Sequence, residues 1–127
     1  MDMRIELIPV PVTDVDRAKA FYVDLVGFNA DHDHRVNENL RFVQLTPPGP
    51  ACSIVIGDGI TGKQPGTQEI QVVIEDAQAA HQMLTAKGVE ATEPESLPWG
   101  IFVHFRDPDG NSWALQQIPP AQITNPE

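Results

Sequence analysis

The chain has 127 residues, enough for one domain with a core of its own. Eight Lys and Arg against eighteen Asp and Glu give a net charge of −10, which repels phosphate backbones and argues against a nucleic-acid partner. An apolar share of 41% excludes wholesale disorder, no apolar run is long enough to span a membrane, and the single Cys52 cannot form an internal disulfide, so a cytoplasmic protein without a signal peptide or membrane anchor is expected.

Residues 8–28 read IPVPVTDVDRAKAFYVDLVGF. Ile8, Val10 and Val12 alternate with Pro9 and Pro11, the period of a half-buried strand. Two prolines remove ladder donors, so this strand is expected at an edge or paired on one side only. Thr13 or Asp14 caps the helix that follows, and Val15, Ala18, Phe21, Tyr22 and Leu25 form its apolar stripe. Gly27 suits the left-handed position that closes it. Strands are expected around 28–34, at 40–46 and at 52–56, with Pro47–Pro50 as the turn between the last two. The glycine-rich stretch 57–67 reads as a linker.

The scheme then repeats. A strand at 69–75 leads to a helix at 77–87, capped by Asp76, with Ala77, Ala80 and Leu84 facing inward. Strands follow near 89–93, at 100–106 and at 112–118, and Asp107–Gly110 is a hairpin turn between the last two. The tail 119–127 has no periodicity and is expected to be a loose arm. Each half therefore runs strand, aspartate, helix, glycine and three strands. The order is βαβββ twice, with modules at about 4–57 and 68–118 in one domain spanning 1–127.

Two stretches carry a family likeness: VPVTDVDRAKAFYVDLVGF in the first half and PWGIFVHFRDPDGNSWALQQ in the second. In this order they resemble the vicinal oxygen chelate superfamily, which includes lactoylglutathione lyase, extradiol dioxygenases, fosfomycin-modifying enzymes and bleomycin-binding resistance proteins. The resemblance implies an α+β fold whose two βαβββ modules curl into a cup-shaped open barrel with helices outside, paired into a homodimer. In metal-dependent members four side chains hold one divalent ion in the cup. By resemblance these positions fall at Leu7, at Glu69, at Ala114 and near Ser53 or Ile54. Glu69 alone offers a ligand of the usual kind, and one carboxylate does not hold a transition metal against water. No metal site and no cofactor are expected.

The remaining candidates are weighed by alternation. In Asp31-His32-Asp33-His34 a strand puts the two histidines on one face and the two aspartates on the other, which reads as a polar edge. Cys52 reads as an inert, buried thiol. Alternation aims Leu7, Pro9, Glu69 and Gln71 into the cup, and alternation from Ala114, a cup position by resemblance, adds Ser112 and Gln116, a lining that suits an organic ligand with some hydrogen-bonding groups. For 40–46 the sequence does not say whether Phe42 and Gln44 or their neighbours point in. Trp99 is a candidate stacking aromatic at the mouth. A turn at Asp107–Gly110 sets His104 opposite Trp113 and away from the cup, whereas a one-residue bulge brings it in; His104 is kept as a candidate contact. Glu69, if desolvated there, would favour its protonated form and act as a general base. The expected function is metal-independent binding of a small organic molecule, of the bleomycin-resistance or glyoxalase-like type. The alternative is a glyoxalase- or dioxygenase-like enzyme using an atypical metal site or Glu69.

Overall fold

The computed structural model describes residues 1–49 and 52–119. Pro50 of the expected turn and residues 120–127 of the expected arm lie outside them. The chain divides into two compact units: Met1–Gln68 with Asp107–Asn111, and Glu69–Arg106 with the strand that begins at Ser112. Each holds a four-stranded mixed sheet and a helical segment, as the repeat predicts. Among the described residues no helix is long and apolar enough to cross a membrane.

In the first unit the strands are β1 (Leu7–Pro9), β2 (Asn29–Asn37), β3 (Leu40–Thr46) and β4 (Ser53–Asp58). Their order is β1-β4-β3-β2, with β1 parallel to β4 and the other pairs antiparallel. Among the described residues β1 pairs only with β4, in keeping with Pro9 at its end and Pro11 just beyond it. β4 runs on to Asp58, so the first two residues of the expected linker belong to a strand. Helix α1 (Val15–Ala20) starts where Asp14 accepts the Arg17 N–H at 3.0 Å. It continues as a π-helical segment, Phe21–Val26, closed by Gly27 at φ 95°. From Asp to closing Gly this module is one residue longer than the second, and the wider turn absorbs the extra residue. Val15, Ala18 and Tyr22 are buried, as are Val43, Leu45, Ile54 and Ile56 on the sheet.

The helix side of this sheet also carries charge. Asp33 receives Lys19 at 2.8 Å and Arg41 at 2.9 Å, and Arg41 reaches Asp16 as well. Hydrogen bonds from Arg41 and then Lys19 hold the Asp33 carboxyl well below the usual carboxylate range. A carboxylate lowered in the folded state stabilises above its unfolded pKa, and that stabilisation is lost as pH falls through the lower folded value. The window therefore opens below about pH 4. Asp33→Asn is expected to cost about 1 kcal/mol or less at neutral pH, because the pairs are partly solvated. It should also lose less stability than the parent on acidification. Urea melts at neutral and acid pH test this, and identical pH profiles would count against it.

The second unit contains β5 (Glu69–Ile74), α2 (Ala77–Ala86), β6 (Glu95–Leu97), β7 (Gly100–Arg106) and β8 (Ser112–Gln117). The sheet order is β5-β8-β7-β6, again with the outer pair β5–β8 parallel. Asp76 caps α2 by accepting the Ala79 N–H at 3.1 Å, and Ala77 and Leu84 are buried. The strand expected near 89–93 is not formed; β6 lies at Glu95–Leu97 instead. Pro94 has no N–H to give a ladder. Upstream of it Thr92 pairs with the sheet, exchanging backbone and hydroxyl bonds with His104.

Candidate functional site

β8 separates two surfaces. Trp113 and Leu115 are buried on one side, where the Gln117 side chain accepts the first N–H of α2 at 2.8 Å. Ser112, Ala114 and Gln116 therefore face away from the helix. Their parallel partners on β5 are Glu69, Gln71 and Val73, and their antiparallel partners on β7 are Arg106, His104 and Phe102. Paired residues share a face, so three rows cross this sheet. They read Arg106–Ser112–Glu69, His104–Ala114–Gln71 and Phe102–Gln116–Val73.

This register differs by one residue from the four-residue turn expected from sequence, which set His104 against Trp113. The reason lies at Gly110. Its N–H donates to the Asp107 carbonyl at 2.9 Å, closing the turn, and its φ of 99° then adds a left-handed residue. The Asp107 N–H next pairs with the Asn111 carbonyl at 2.9 Å. A type of three-residue loop with a glycine bulge results, and it shifts the pairing by one. His104 thus lies on the open face and stacks with Phe102, with ring centroids 6.0 Å apart and planes 10° apart.

An amide chain links the second row to the third. Gln71 donates to Gln116 at 2.8 Å, and Gln116 donates to the Trp99 carbonyl at 2.8 Å. These bonds hold Gln116 at 9% exposure and fix the hairpin that bears Trp99, whose side chain stands 53% exposed. Glu69 is exposed as well. The desolvation that would make it a general base is not supplied by its own sheet. Phe102 and Arg106 were missed from sequence, because nothing short of the register places them on this face.

The corresponding face of the first sheet carries Leu7 and Pro9 on β1, paired with Ser53 and Val55, and Phe42, Gln44 and Thr46 on β3. Arg41, Val43 and Leu45 turn to the helix, which settles the alternative left open above. Gln44 and Thr46 both bond the Ser53 hydroxyl, at 3.1 and 2.7 Å. Burial, and then Glu6, push the Cys52 thiol up, in keeping with an unreactive residue.

The metal positions implied by the resemblance can now be matched pair by pair. Leu7 pairs with Ser53 as Glu69 pairs with Ser112, so the counterpart of Ala114 is Val55 rather than Ser53 or Ile54. Leu7, Val55 and Ala114 have no donor atom, and the residues present do not fit a metal ion. Among the described residues no three His, Cys, Asp or Glu side chains come together as a metal-binding group.

The family model for the glyoxalase/bleomycin resistance protein/dioxygenase superfamily matches residues 4–115. The chain belongs to this superfamily. It is 30% identical over 120 residues to the uncharacterised protein YetH of Bacillus subtilis (strain 168), covering 92% of this chain and 100% of YetH. The fold matches TnmS3, an antibiotic binding protein from Streptomyces sp. CB03234, with a TM-score of 0.84 and 34% identity over 93% of this chain and 98% of that one. It also matches a glyoxalase/bleomycin resistance protein from the same organism, with a TM-score of 0.79 and 35% identity over 90% of this chain and 100% of the other.

Proposed function

We propose that the chain is a metal-independent binding protein for a small organic molecule, and that the open face of the second sheet contacts the ligand. The observation that carries this reading is the composition of that face. His104 and Trp99 offer exposed flat surfaces, with the buried Phe102 stacked on His104; Gln71 and Gln116 offer amide groups, and Glu69 offers an acceptor beside the apolar Ala114. Flat apolar surface with a few convergent polar groups is the usual make-up of an organic-ligand site. The likeness to an antibiotic binding protein supports the same reading, as does the lack of donors at three of the four metal positions.

Calorimetric titration with bleomycin and a panel of polycyclic aromatic antibiotics tests it. Saturable binding is expected. Glu69→Gln should weaken it by about tenfold or more, since a charge-assisted hydrogen bond contributes about 1.5–3 kcal/mol. Its urea stability should stay within about 1 kcal/mol of the parent, as for other surface changes. Trp99→Ala should weaken binding comparably by removing a stacking surface. Parent-like affinity in both variants would leave the face without a role. Metal-dependent turnover of a small carbonyl compound would instead support the enzymatic alternative.

We further propose that the protein is a homodimer. Val73 and Leu97 are exposed apolar side chains on the second sheet, at 66% and 37%, and a second copy would cover such surface. Sedimentation at micromolar concentration is expected to give twice the chain mass, and a clean monomer would overturn the proposal.

A further inference from the structure

β2 is the outer strand of the first sheet, paired only with β3 among the described residues. His32 opposes Gln44 and His34 opposes Phe42, so both histidines stand on the face turned away from α1. Their rings lie nearly parallel, 5.9 Å between centroids and 24° between planes, and both side chains are exposed. Asp33 between them points to the other face, where it is neutralised by Lys19 and Arg41. That pairing anchors the strand and keeps both cations on the far side from the imidazoles.

The expected split of two histidines against two aspartates is broken at one place. A bulge between Ala30 and His32 takes Asp31 out of alternation. Its carboxylate accepts the hydroxyl of Thr46, on the same face as His32. The edge therefore presents two adjacent imidazoles on one face, with the Asp31 carboxylate engaged by Thr46.

We propose that His32 and His34 form a two-imidazole site for a borderline divalent cation of the Zn²⁺, Ni²⁺ or Cu²⁺ type. The site is separate from the four superfamily metal positions and does not depend on the organic-ligand reading. Residues i and i+2 of a strand are separated by about 6.6 Å along it and point the same way. Two exposed rings need only tilt toward each other for one nitrogen of each to reach an ion at about 2.0–2.1 Å. Imidazole selects these ions over Mg²⁺ and Ca²⁺, which prefer oxygen. Water fills the remaining positions, and the net charge of −10 concentrates cations near the surface. His81 stands apart on α2, with its Nδ1 facing the Thr92 carbonyl at 2.9 Å and its Nε2 facing the Glu93 carboxylate at 3.3 Å.

The test uses untagged full-length protein titrated calorimetrically with Ni²⁺, Zn²⁺ and Mg²⁺ salts. One equivalent of Ni²⁺ or Zn²⁺ should bind and Mg²⁺ should not. His32→Ala and His34→Ala should each weaken binding by at least about tenfold, the double variant should abolish it, and His81→Gln should leave it unchanged. Cu²⁺ bound to the parent should show coupling to two imidazole nitrogens in its paramagnetic resonance spectrum, and to one in either single variant. Both substitutions lie on an exposed strand, so circular dichroism should show parent-like folding. Dissociation constants weaker than about 1 mM, or affinity retained in the double variant, would overturn the proposal.

Discussion

Asp107→Ala is expected to destabilise the chain by about 3–5 kcal/mol, among the largest effects of any single substitution. The carboxylate is 5% exposed and accepts four hydrogen bonds. Oδ1 takes the N–H groups of Asp109 and Asn111 at 3.0 and 2.9 Å. Oδ2 takes the Tyr22 hydroxyl at 2.7 Å and the Asn111 amide at 2.8 Å. Alanine removes every acceptor at once and strands these donors, each at a cost of about 1–3 kcal/mol. The sum is not reached, because burying a carboxyl group carries a desolvation cost that alanine relieves. Tyr22→Phe deletes one of the four bonds and should cost less, about 1–2 kcal/mol. Asp107→Asn keeps the shape but turns an NH₂ toward a donor, and should fall between the two. Urea unfolding of the three variants gives the order. An Asp107→Ala variant within about 1 kcal/mol of the parent would show that the loop is held by other contacts.

That network also marks where reading the sequence stops. Strands 40–46 and 100–106 were legible to the residue, because alternation acts over nearest neighbours and each run ends at a turn. Both helix starts were legible from Asp14 and Asp76, whose carboxylates cap as their residue type predicts. Tyr22, by contrast, read only as part of an apolar stripe. Its partner Asp107 is 85 residues away, and no local pattern reports such a contact. The site divides in the same way. Glu69 and Gln71 follow from alternation within one strand, and Gln116 from alternation about Ala114, a position the family resemblance supplied. His104, Phe102 and Arg106 depend on how β7 registers against β8, which one positive φ at Gly110 decides. Asp31 escaped its expected face for a related reason, a bulge that shows only in the pairing of two strands.

Gly57→Ala should be the most damaging substitution at a residue without a side chain, costing about 3 kcal/mol or more and reducing soluble yield. Gly57 sits in β4 opposite Phe42, at φ 154°. An added Cβ would overlap the Arg41 carbonyl oxygen and stand 2.8 Å from its carbon and 2.9 Å from Ile60 Cγ1. The first two atoms are backbone of the neighbouring strand and cannot rotate aside, so the β3–β4 ladder must open. Next to it lie Val43, Leu45, Ile54 and Ile56, the buried face of the first sheet. Separating these strands therefore admits water to the core rather than merely straining a loop. Gly27→Ala isolates the purely conformational part. Gly27 has φ 95°, and nothing lies within 4 Å of its would-be Cβ. It should cost only the strain of a left-handed alanine, about 1–2 kcal/mol. Equal losses for the two variants in urea unfolding would mean that backbone strain alone sets the effect at Gly57. A loss at Gly57 at least twice that at Gly27 is the result expected from the clash with Arg41.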